Sequence, residues 1–204
     1  MNNILCQNRV IYPSKVVCIG RNYVEHIKEL NNTIPDEMVF FIKPNSAIAQ
    51  QLIFAFNEQA CHYEAEISFM IEEGKISAVG FGLDLTLRAV QSRLKKEGLP
   101  WERAKAFDGS ALFSTFIPFN YQEDNVEIEL YINNELKQKG SVELMIHKPL
   151  QIIKEAQTFL SFEDGDILMT GTPSGVGQIN QGDVFLGKIL LNGEVLVQNE
   201  FHVY

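Results

Sequence analysis

The stretch from residue 61 to 71, CHYEAEISFMI, alternates apolar and polar positions. A period of two is the mark of a strand whose faces differ. Tyr63, Ala65, Ile67, Phe69 and Ile71 share one face, and His62, Glu64, Glu66 and Ser68 share the other. The apolar set predicts a core face. Beyond it the chain turns at Glu73–Gly74–Lys75 and continues as a second strand toward Leu83. KVVCIG predicts a buried strand ending at Gly20. VEIELYINNELKQKG and VFLGKILLNGEVLVQNEF predict hairpins turning at Asn133–Asn134 and Asn192–Gly193, Asn-Gly being the stronger turn signal.

Helical periodicity is confined to short segments. NYVEHIKEL predicts a helix with Asn22 as N-cap, Glu25 three residues on, and Tyr23, Ile27 and Leu30 on one side. TLRAVQSRLKKEGLP predicts a second that starts near Thr86, gathers lysines in its last turn and stops at Gly98 before Pro100. PLQIIKEAQTFLSF predicts a third. Strands with peripheral helices and no βαβ repeat give the class α+β. No repeat, linker or low-complexity tract divides the chain, so residues 1–204 are expected as a single catalytic domain.

Charge and composition remove several functions. A net charge of −9 disfavours nucleic acid, which needs a basic patch, and anionic membranes. Cys6, Cys18 and Cys61 are odd in number and lack metal-knuckle spacing. The sequence has neither a spanning apolar run nor a signal peptide pattern, so the cytoplasm is the expected location.

Two glutamates about 7 Å apart on one strand face repel each other unless solvent or a cation screens them. Asp84 follows Glu66 by eighteen residues, where a strand meets a helix start. A hairpin at Gly74 would return it to the glutamate end of the sheet. Three hard oxygen ligands suit Mg²⁺ or Mn²⁺, although spacing alone fits an acidic solvated face as well. His26 and Glu29 stand three apart on a helix, as do Arg88 and Gln91, so each pair shares a face. MTGTPSGVG is glycine-rich but has neither phosphate-loop nor dinucleotide spacing. With no G-x-S-x-G elbow, water rather than serine is the expected nucleophile.

In chain order, IGRNYVEHIKEL, FFIKPNSAI, HYEAEISFMI, GFGLDLTLRAVQ, GLPWERAKAFDGSALFSTFIP, QKGSVELMI and EDGDILMTGTPSGVG resemble the fumarylacetoacetate hydrolase family. The likeness is to its short acylpyruvate hydrolase branch and runs from Lys15 to the end. It implies a mixed β-sandwich roll and a homodimer. It also implies that Glu64, Glu66 and Asp84 hold one Mg²⁺ or Mn²⁺. His26, oriented by Glu29, becomes a general base on a segment that closes as a lid. By the same resemblance Lys105 polarises the substrate, Arg21, Arg88 and Gln91 face it, and Thr172 with its loop receives a carboxylate. Asn45 and His147 depart from the family pattern, and His62, His147 and His202 receive no role.

The implied reaction is hydrolysis of a small acylpyruvate. The metal chelates the 1-carboxylate and 2-keto oxygens, water attacks C4, and a pyruvate enolate leaves. The same enolate would serve an oxaloacetate decarboxylase or keto–enol tautomerase, the second reading. A non-catalytic 2-oxo-acid sensor is the third.

Overall fold

The structure is a computed structural model that describes residues 1–30, 35–121 and 126–204. Its centre is a mixed sheet whose strands run in the order 111–113, 75–84, 65–72, 167–169, 15–20, 39–44, with 117–118 pairing beside 111–113 on the 75–84 strand. Neighbours are antiparallel except 167–169 with 15–20. A second sheet orders 135–141, 126–132, 184–191, 194–202, and contains both predicted hairpins. Asn133, Asn134 and Asn192 take positive φ, and so does Gly193, as tight hairpin turns require.

The alternation read from residues 61–71 sets the layers. Tyr63, Ala65, Ile67 and Phe69 pack with Phe81 and Leu83 against Ile128, Leu130, Phe185 and Ile189 of the second sheet. Gly187 lets the sheets close: a Cβ there would lie 2.5 Å from the Phe81 ring. Ile71 lies further along the same face, where helix α4 (Pro149–Ala156) covers Val17, Ile19 and Leu168 with Ile152, Ile153 and Ala156. The opposite face is not solvated. Val16, Cys18, Met70, Ile167 and Met169 are buried there beneath Ile4, Cys6, Ile48 and Phe116, and Glu64, Glu66 and Ser68 are buried with them. The acidic strand face is therefore an interior one, and its charges need partners.

The helices are shorter than their patterns. Helix α1 spans Val24–Glu29 with Tyr23, not Asn22, at its N-cap. The Asn22 side chain instead donates to His147 O and Thr170 O and accepts from His147 N–H, so a buried amide joins three segments in place of capping. Helix α2 spans Arg88–Glu97, starting two residues after Thr86. It ends as expected at Gly98, in the left-handed conformation. Asn45 ties the chain's first residues down: it accepts from Asn2 N–H at 2.7 Å and donates to Asn2 O and Pro13 O, both at 2.8 Å.

Asp166 fixes the start of the 15–20 strand. Its carboxylate, fully buried, accepts from Ser14 N–H at 3.0 Å, Ser14 Oγ at 2.7 Å, Lys15 N–H at 3.1 Å and Glu163 N–H at 2.9 Å, and pairs with Lys15 Nζ. Burial alone would raise its pKa, but these donors outweigh burial and hold it lowered. The stability it contributes is thus present above the unfolded pKa near 4 and lost as pH falls through the folded value. Asp166→Asn should lower unfolding free energy by about 3 kcal/mol at pH 7. Urea titrations of the two proteins should converge below pH 4, and a constant gap would contradict this origin.

Candidate active site

The hairpin through Gly74 does what the spacing of the acids requires. Ala65 pairs with Leu83, and Asp84 N–H donates to Glu64 O at 2.8 Å, so Asp84 stands directly across from Glu64. Glu66, two positions along, shares the face. One carboxylate oxygen from each of Glu64, Glu66 and Asp84 lies within 4.8 Å of the others, and all three residues are buried.

Three cations surround them. Lys105 Nζ is 2.8 Å from Glu64 Oε2 and 2.5 Å from Asp84 Oδ2, and donates to Thr86 Oγ1 at 2.6 Å. Arg88 pairs with Glu64 through Nη2 and donates to Gln91 Oε1 at 2.8 Å through Nη1. Lys43 is completely buried, with Nζ 2.8 Å from Asp84 Oδ1 and also bound to Lys105 O, Ser110 O and Ser110 Oγ. Lys105 arrives by way of α3 (Glu102–Lys105), a single turn following Trp101.

These partners divide the acids. Burial disfavours ionised Glu64, but Lys105 and Arg88 overcome it and hold its pKa well below the usual carboxylate range. Glu66 has one donor, Gly171 N–H at 2.7 Å; burial, then Asp84 and Glu64, drives its pKa well up. Lys105 is raised, as Asp84 and Glu64 prevail over burial. A divalent cation fits here on the structure's own terms. Three hard oxygens converge in a buried cluster, and Glu66, crowded by like charge, has a single donor.

His26 sits over this floor on α1, nearly buried, with Nδ1 3.3 Å from Glu29 Oε2. Glu29 is itself fixed by Gly175 N–H, at 3.0 and 3.2 Å from its two oxygens. Burial lowers the His26 pKa, against the pull of Glu64 and Glu29, so the ring is neutral at pH 7. The cleft is narrow, about 30 Å³, because Arg88 and Lys105 reach down onto the carboxylates. Its walls contain Arg21, His26, Glu64, Glu66, Asp84, Arg88, Gln91, Lys105 and Thr172, nine of the ten residues singled out from sequence. Glu29 stands behind His26. The Thr172 hydroxyl donates to Ala65 O at 2.9 Å and accepts from Gln138 Nε2 at 2.8 Å, so its proton is already committed.

Sequence reasoning passed over Lys43, Lys95 and Trp101. Lys95 had a signal: it follows Arg88 and Gln91 at helical spacing, on the same face of α2. Lys43 lies two positions from the cleft residue Phe41 on the 39–44 strand, hence on the same face.

A buried three-carboxylate floor beneath a His–Glu pair, set in a curled mixed sheet, is an arrangement able to hold a divalent cation beside a base. Residues 15–198 match the model of the fumarylacetoacetate (FAA) hydrolase C-terminal domain, and the chain belongs to the fumarylacetoacetate hydrolase family. It is 42% identical over 190 residues to the oxaloacetate tautomerase YcgM of Escherichia coli K12, covering 84% of this chain and 87% of that protein. The mitochondrial oxaloacetate tautomerase oaa1 of Schizosaccharomyces pombe is 36% identical over 210 residues, covering 93% and 95%. The fumarylpyruvate hydrolase of Pseudomonas aeruginosa, solved with Mn²⁺ and pyruvate, superposes with a TM-score of 0.89 at 27% identity, covering 99% and 95%. Among the described residues no helix is long and apolar enough to cross a membrane.

Proposed function

We propose that this protein is a Mg²⁺- or Mn²⁺-dependent oxaloacetate tautomerase, interconverting enol and keto forms through a shared enolate. The observation that carries this is the convergence of Glu64, Glu66 and Asp84 beneath a neutral, Glu29-oriented His26, in a chain 42% identical to an oxaloacetate tautomerase. That likeness reverses the order expected from sequence, which placed hydrolysis first.

Held by the three carboxylates, the cation would supply Lewis-acid stabilisation of charge gathering on the substrate's 2-oxygen. The chain's own residues do the rest. With Nδ1–H donating to Glu29, the His26 Nε2 lone pair takes the C3 proton of the keto form while the 2-oxygen gains a proton from solvent. In the reverse direction the enol's 2-oxygen releases its proton to solvent as His26 returns one to C3. Arg88, braced by Gln91, meets a substrate carboxylate, and Lys105 adds positive charge where the enolate forms. Ile19, Leu30 and Phe41 give the cleft its apolar walls. A cytoplasmic homodimer goes with this reading.

Loss of enol absorbance from fresh oxaloacetate with Mg²⁺ tests it. The wild type should accelerate the decay, and His26→Ala should lose about 10²–10⁴ of that rate. Because the His26 pKa is lowered, the acid limb of the rate profile should lie below pH 6.5. A decay no faster than with Mg²⁺ alone would refute the assignment. Acylpyruvate hydrolysis is the second reading, supported by the similarity to the pyruvate-bound fumarylpyruvate hydrolase. There His26 would activate water toward C4, and release of pyruvate from acetylpyruvate or fumarylpyruvate would reveal it.

A further inference from the structure

The cations of the cleft floor are already paired: Lys43 meets Asp84, Arg88 meets Glu64, and Lys105 meets both. Two further cations line the mouth, Arg21 and Lys95, and among the described residues neither has an ion-pair partner. Arg21 Nε is buried without a hydrogen bond, as Arg88 Nε is below it. Arg21 also holds φ at +59°, a left-handed conformation unusual for a residue with a Cβ and common at ligand sites.

Trp101 sets both in place. Its ring packs on Gly20, where a Cβ would come within 3.3 Å, and so braces the backbone that turns at Arg21. The Lys95 ammonium lies 4.9 Å from the centre of the same ring. Burial, then Arg21 and Arg88, lowers the Lys95 pKa to about 8, a strain that an anion would relieve. Arg88, Gln91 and Lys95 stand along roughly 10 Å of one face of α2, so the cleft runs from an acidic floor to a cationic mouth with no anion of its own.

We infer that Arg21 and Lys95, mounted on Trp101, seat the second carboxylate of a 2-oxo dicarboxylate, making the mouth of the cleft its selector for dianions over 2-oxo monoacids. This rests on the proposed function, since the 2-oxo-acid end must lie at the floor. The seat is a specificity determinant and takes no part in proton transfer. Oxaloacetate and 2-oxobutyrate differ only in a carboxylate against a methyl, so the seat acts on that single difference.

Calorimetry on the Mn²⁺-loaded protein separates the two claims with three probes. Oxalate reaches only the floor, 2-oxobutyrate fills the cleft with a neutral tail, and 3,3-difluoro-oxaloacetate has both carboxylates but no C3 hydrogen to lose. Lys95→Met should weaken the difluoro-dicarboxylate by a factor of about 10–100, the range for a charge-assisted contact. Oxalate and 2-oxobutyrate should change less than about threefold, and Lys95→Arg should restore the dicarboxylate. Equal losses for all three probes, or an unchanged dicarboxylate, overturn the seat alone. Failure of oxalate to bind the wild type overturns the functional reading, and the seat with it.

Discussion

Glu66→Gln should yield a protein that folds better and binds its metal worse. At neutral pH Glu66 is a buried acid crowded by Asp84 and Glu64, with a single hydrogen-bond donor, Gly171 N–H. The glutamine keeps an oxygen for that donor and removes the repulsion. Melting temperature without metal should rise by about 2–4 °C, the shift that 1 kcal/mol produces in a chain of this size. The sign follows from linkage: a carboxyl whose folded pKa is raised costs stability once pH climbs past its unfolded value, near 4.3. The variant's advantage should therefore shrink toward pH 4. Mn²⁺ affinity, in contrast, should fall at least about a hundredfold, since even groups that merely support metal ligands cost up to that much. A drop in stability with affinity intact would make Glu66 structural. The opposed signs are what a residue kept for function rather than for folding produces.

Lys43→Met should have the largest cost to the fold. Its ammonium is fully buried, lies against Asp84 and joins Lys105 O and Ser110 O of the segment that carries Lys105. Removing one partner of a buried pair costs about 3–5 kcal/mol, because the other charge stays buried. That corresponds to roughly 6–20 °C in melting temperature. Turnover of the folded fraction should fall as well, since α3 and Lys105 lose their anchor. A melting point within about 2 °C of wild type would mean that Asp84 finds another partner, and that Lys43 does not organise the floor.

The contrast between these two residues marks how far the sequence could be read. The alternation in CHYEAEISFMI and the turn at Gly74 were enough to return Asp84 to the glutamate end of the sheet. The irregularity between Met70 and Ile71, which shifts the register by one and sets Asp84 across from Glu64, left no sign in the sequence. Nor were alternation and turn enough to show that the acidic face is an interior one. That depends on Ile4, Cys6 and Phe116 folding over the sheet from distant parts of the chain. The same applies to Lys43, whose role appears only when Asp84 and Ser110 meet it.

Asn22 is a related case. It follows the capping rule in sequence, yet its amide serves His147 and Thr170 instead. A buried tertiary hydrogen bond prevailed over a local preference worth about 1 kcal/mol. Helix α3 is a single turn, too brief to leave a periodic trace, so only the family motif pointed Lys105 inward. Thr172 is placed in the cleft wall as the motif implied, but its hydroxyl proton is spent on Ala65 O. What it can still offer a ligand is shape and one lone pair.

The chemistry proposed for this cleft depends on a divalent cation between Glu64, Glu66 and Asp84, and diffraction above and below the manganese edge tests that directly. Crystals soaked in Mn²⁺ should give one strong anomalous peak within bonding distance of an oxygen from each of the three. No peak there, with manganese bound elsewhere or nowhere, would contradict it.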